Sequence, residues 1–92
     1  MNFDTFKQLL LKNPSEEITD DYIRTTYSYY QKLHAHQDCF QDIKKLDFRN
    51  FSYAVQINPL VEKLLKQTEA ELNCQLSQNQ REFAVWLFSE YG

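Results

Sequence analysis

Glycine is almost missing from this chain: the only one is Gly92, and the prolines are Pro14 and Pro59 alone. Tight hairpin turns need positive φ and lean on glycine, so a hairpin-rich β fold is disfavoured and helices are the default. A glycine-rich phosphate loop is missing too, which removes nucleotide chemistry of the P-loop or Rossmann kind. The two cysteines, Cys39 and Cys74, allow one disulfide at most, and without an export signal both are expected to stay reduced. No apolar run approaches the ~20 residues needed to cross a bilayer. The start, MNFDTFKQLLLK, has neither a basic n-region nor a cleavage signature, so a cytoplasmic location away from membranes is expected. Positive charge is not in excess: the net charge is −3, which argues against a nucleic-acid or anionic-membrane partner.

Aromatic side chains are plentiful. They make up 15% of the 92 residues, and their bulk lets a short chain reach a useful core. Low-complexity segments, repeats and long linkers are lacking, so residues 1–92 are expected to form a single helical domain.

Along the chain, Phe3, Phe6 and Leu10 share a face, with Leu9 beside them, and Asn13-Pro14 should stop that helix near Lys12. Thr19 or Asp20 can cap a second helix. In it Tyr22, Ile23, Thr26, Tyr30, Leu33 and Gln37 form a stripe reaching Phe40, while Arg24, Ser28, Gln31, Lys32 and Ala35 take the other side. The segment from Gln41 to Ile57 is harder to read. Phe40, Ile43 and Leu46 share one helical face and Phe48, Phe51 and Val55 another, which predicts a break near Asp47 to Asn50. Phe51, Tyr53, Val55 and Ile57 also alternate as a strand would, but a lone strand has nothing to pair with, so helix is preferred. Asn58-Pro59 is a helix start, followed on one face by Leu60, Val61, Leu64, Leu65, Thr68, Leu72 and Leu76. Ser77 and Gln80 read as a capping box for the last helix. The expected fold is all-α: a compact bundle of four or five short helices, the last two forming an antiparallel hairpin because their link is short.

The stretch TTYSYYQKLHAHQDCF, Thr25 to Phe40, concentrates tyrosine, histidine and cysteine. On a helix His34 and His36 are rotated by roughly 200° and cannot share a metal. His36, Cys39 and Cys74 lack any zinc-ligand spacing, and nothing implies an activated Cys39–His36 pair. Neither a metal nor a cofactor is expected. The stretch reads as the aromatic face of a helix.

Glu16, Glu17, Asp20 and Asp21 place four carboxylates within six residues. They suit the positive end of a helix dipole, and they can also steer a basic protein partner. Lys44, Lys45 and Arg49 form a small basic cluster interrupted by Asp42 and Asp47, the one feature that favours a nucleic-acid-associated regulator. In the last helix Phe83, Ala84, Leu87, Phe88 and Tyr91 form the apolar stripe. Trp86 falls among Asn79, Glu82, Ser89 and Glu90 on the polar side, where a tryptophan is either covered by another segment or presented to a partner or to a second copy of the chain.

The expected function is that of a non-enzymatic protein-binding module that neutralises or inhibits a macromolecular partner, such as a basic nuclease or toxin. Its expected contacts are Trp86, Glu82, Glu90, Glu16, Glu17, Asp20 and Asp21, with a homodimer through the last helix as an option. By size and composition alone the analogy is with immunity-type or phage-type inhibitors. A small transcriptional regulator is the alternative.

Overall fold

Asn2 starts the first helix by accepting the Thr5 N–H on its Oδ1 at 2.8 Å, which satisfies one of the donors a helix start leaves over. The computed structural model describes residues 2–12, 17–44 and 51–91. In it α1 runs Phe3–Lys12 and buries Phe6 and Leu10, while Phe3 remains 36% exposed. Helix α2 spans Asp20–Ala35, and its cap is Thr19, whose Oγ1 accepts the Tyr22 N–H at 3.1 Å. It ends before the expected Phe40; a 3-10 turn, Gln37–Cys39, leads to that buried ring.

Two short helices follow, α3 at Gln41–Lys44 and α4 at Phe51–Ile57. Residues 51–57 are therefore helix rather than strand, with Phe51 and Ala54 turned inward. The expected break near Asp47 to Asn50, with Phe48 inside it and Leu46 just before it, lies outside the described residues. Helix α5, Leu60–Leu72, starts as Asn58-Pro59 predicts: Asn58 Oδ1 accepts the Leu60 N–H at 3.1 Å. Its Nδ2 donates to the Cys39 carbonyl at 2.7 Å and ties this start to the 3-10 turn. Helix α6, Gln78–Tyr91, opens with the expected capping box. The Ser77 N–H donates to Gln80 Oε1 at 2.8 Å and the Gln80 N–H returns to Ser77 Oγ at 3.2 Å. The fold is all-α, with six α-helices among the described residues where four or five were expected. The segment after Phe40 supplies two short ones.

The centre of the bundle is α6. It lies along α2, with α3 and α4 against other parts of its surface, and Gln80, Phe83, Ala84, Val85, Leu87 and Phe88 are all buried. Gln80 meets the start of α2 and the Phe88 ring meets Phe40 beyond its end, so α6 runs in the same sense as α2. The expected antiparallel hairpin of α5 and α6 is not a closely packed pair. Helix α5 packs on α2 and α4 instead. The link explains this. Asn73 takes the left-handed conformation at φ 53°. Glu69 then holds the departing chain by accepting the Leu76 N–H at 2.8 Å and facing the Arg81 guanidinium at 3.5 Å. As a result Leu76 is buried beyond the helix, whereas Leu72, read from the sequence as core, is 40% exposed. The Cα radius of gyration, 12.0 Å, is what tight packing gives at this length, about 12 Å.

Tyr29 shows how closely α5 sits on α2. Its ring is fully buried and its hydroxyl donates to the Val61 carbonyl at 2.8 Å. Burial pushes the phenol well above its usual pKa range.

Candidate functional site

The acidic start of α2 follows from its cap. Thr19 fixes the first turn, and Asp20 and Asp21 then project from it into solvent, with exposed Glu17 just before. None of these three carboxylates is in an ion pair among the described residues. Glu16 lies outside the described residues. Behind this turn the backbone is held firmly. Gln80 Nε2 sits 3.2 Å from the Tyr22 carbonyl and 2.9 Å from both the Thr25 and Thr26 hydroxyls. The acidic turn is thus attached to the central helix, a rigid support for a charged surface.

Beside it opens a trough of about 750 Å³, lined by Phe3, Asp21, Arg24, Thr25, Tyr27, Ser28, Leu72 and Cys74. A second hollow of about 340 Å³ shares Ser28 and Leu72 with it and continues along Lys32, Ala35 and His36, with Thr68 and Glu71 on the facing helix. Small side chains at Thr25, Ser28 and Ala35 leave the space between α2 and α5. Two of the large exposed apolar side chains, Phe3 and Leu72, line it. The sequence pattern misses this trough, because its floor on α2 is the side that reads as outer and its wall includes a leucine that reads as core.

Trp86 is neither fully covered nor fully presented. It is half-buried against the core, its ring 5.9 Å from that of Phe83. Of the two readings of the sequence, covered by another segment or presented to a partner, the structure gives partial cover. Because α6 is the hub, its buried surface is wider than one stripe, and the polar side of the wheel is partly covered. Glu82 is half-buried and Glu90 exposed. Trp86 and Glu90 lie six and ten residues beyond Gln80, roughly 9 and 15 Å farther along α6. Along the helix axis these two therefore lie away from the acidic turn, whereas Glu82 is only two residues past Gln80.

The aromatic stretch also resolves. Tyr29, Tyr30 and Leu33 are core, and Tyr27 bridges Phe6 and Phe3 at ring distances of 5.0 and 5.3 Å. His34 is exposed and stacks on Tyr30 at 6.2 Å, while His36 Nδ1 lies 3.0 Å from the Lys32 carbonyl oxygen. Cys39 and Cys74 are unbonded to each other. Among the described residues no three His, Cys, Asp or Glu side chains gather as metal ligands. Of the basic cluster, Lys45 and Arg49 fall outside the described residues. No described helix is long and apolar enough to cross a membrane. No protein-family model matches the chain, and neither a search of curated proteins nor one of solved structures finds a significant match.

Proposed function

We propose that this chain is a protein-binding module that neutralises a macromolecular partner by covering part of its surface, acting in the cytoplasm and without catalysis of its own. The observation that supports this reading is the open, partly apolar trough beside the exposed carboxylates Glu17, Asp20 and Asp21, which are in no ion pair among the described residues. Apolar contact gives an interface its free energy, and clustered charge gives it orientation and speed of encounter. The partner that suits this surface is basic, as a nuclease or toxin with a phosphate-binding face would be. On this reading the protein is an immunity-type or phage-type inhibitor, and Trp86, Glu82 and Glu90 form an accessory contact.

The test is affinity capture from the native host with two baits in parallel, the wild-type chain and a variant with Glu16, Glu17, Asp20 and Asp21 changed to lysine. A protein held by the first and lost by the second is expected. Its association with the variant should be at least roughly tenfold slower in low salt, with the gap closing as salt screens the steering charges. A partner that binds both baits at one rate would show the carboxylates to be only a helix start.

A further inference from the structure

We propose that Gln80 is the lock that seats α6: its side-chain amide holds the central helix in one rotation against α2, and without it α6 occupies more than one seating. Apolar contact alone does not make that choice. The run FAVWLF, Phe83 to Phe88, is a series of consecutive apolar residues. At about 100° per residue it puts an apolar side chain on every side of the helix. All of these are buried except Trp86, which is half-buried. A helix that is apolar all round has no single inward face for burial to select. Cores held by apolar contact alone lose uniqueness before they lose stability.

Gln80 supplies the missing direction. It is 5% exposed, and both halves of its amide are engaged. Oε1 accepts the Ser77 N–H at 2.8 Å at the start of its own helix, which turns the NH2 group toward α2. There Nε2 lies 2.9 Å from the Thr25 and Thr26 hydroxyl oxygens and 3.2 Å from the Tyr22 carbonyl. Both hydroxyls already donate within α2, Thr26 to the Tyr22 carbonyl at 2.6 Å and Thr25 to the Asp21 carbonyl at 2.8 Å. What they offer α6 is therefore lone pairs, which only a donor can meet. A rotation that keeps Gln80 inside but moves it off these acceptors leaves a buried donor unpaired, and that selects against every other seating. The other tie of the same turn, Arg81 to Glu69 at 3.5 Å, runs to α5 and so does not set α6 against α2. Because α2 carries Asp20 and Asp21 and α6 carries Glu82, the lock also makes the surface they jointly present a single one.

The experiment compares Gln80→Leu with the wild-type chain by circular dichroism and by ¹H–¹⁵N and NOE spectroscopy. The wild type should give one set of amide signals, with contacts between the Phe6 and Phe83 rings and between the Phe40 and Phe88 rings, 5.8 and 5.6 Å apart. Gln80→Leu should remain helical while the amides of α2 and α6 broaden or double, a second set reaching about a tenth of the intensity or more, and both ring contacts weaken. Thr25→Ala with Thr26→Val leaves the capping box in place and removes two of the three acceptors. It should have the same effect, even if Gln80→Leu fails to fold. Ser77→Ala, which removes only the capping hydroxyl, and Arg81→Met, which removes the tie to α5, should each keep one set. A single sharp set with both ring contacts in a folded Gln80→Leu chain or in the threonine variant overturns the proposal, since packing would then choose the seating. Doubling in Ser77→Ala or Arg81→Met overturns it as well. So does loss of helix in both Gln80→Leu and the threonine variant, because the network would then supply stability rather than seating.

Discussion

Two neighbouring tyrosines on α2 have opposite hydrogen-bonding circumstances. Tyr29 donates to the Val61 carbonyl, whereas the Tyr30 hydroxyl is buried with no partner among the described residues. A net hydrogen bond is worth about 1 kcal/mol and an unsatisfied buried group costs about as much. Tyr29→Phe should therefore lose ~1 kcal/mol and Tyr30→Phe should gain ~1 kcal/mol or be neutral in urea melts. Equal losses from both would refute this contrast. Burial raises both phenols. A group raised in this way contributes stability that is complete below the unfolded-state value, about 10, and is lost as the pH climbs past it. The midpoint of denaturation should fall above about pH 10, less steeply in either phenylalanine variant. On α6, Phe83→Ala should cost ~3 kcal/mol or more as a core truncation. Half-buried Trp86 should cost ~1–2 kcal/mol on truncation, more than a surface residue and less than Phe83. If it equals Phe83 it is core, and its accessory role in binding is lost with that result.

Where an element begins is a local matter, and these signals were legible. Thr19, Asn58 and the pair Ser77 and Gln80 act within four residues of themselves, so the sequence carries the geometry directly. Gln80 does more than its motif requires, since its Nε2 reaches α2 across 54 to 58 residues of chain. Capping alone is worth about 1 kcal/mol. Ser77→Ala should cost that, and Gln80→Ala about 2–3 kcal/mol, because Thr25 and Thr26 lose a donor in a buried setting. In a double-mutant cycle the two should fall short of additivity by about 0.5 kcal/mol or more, as contacting residues do. Strict additivity would mean that the two ends of the box do not depend on each other.

At the scale of the whole molecule the class was legible and the arrangement was not. Scarce glycine and helical periodicity point to a bundle, but periodicity sorts residues as if each helix had one buried face. That assumption fails for α6, which buries Val85 as well as Phe83 and Phe88, and for α2, where the stripe passes over Tyr29. The trough was invisible for a related reason. It is empty space shaped by small side chains on one helix and by Leu72 on another, and no local pattern records it. The central place of α6 has a further consequence, for the chain during its synthesis. The hub is the last of the described elements to be made. At translation rates of about 5–20 residues per second its 14 residues take roughly a second or more to appear. Until then Thr26 and Phe40 lack Gln80 and Phe88, the α6 side chains that meet them. A nascent chain stalled before Gln78 would present the surface that α6 covers to chaperones and proteases, and a ribosome pause just upstream of α6 would be more hazardous to this protein than one anywhere after it.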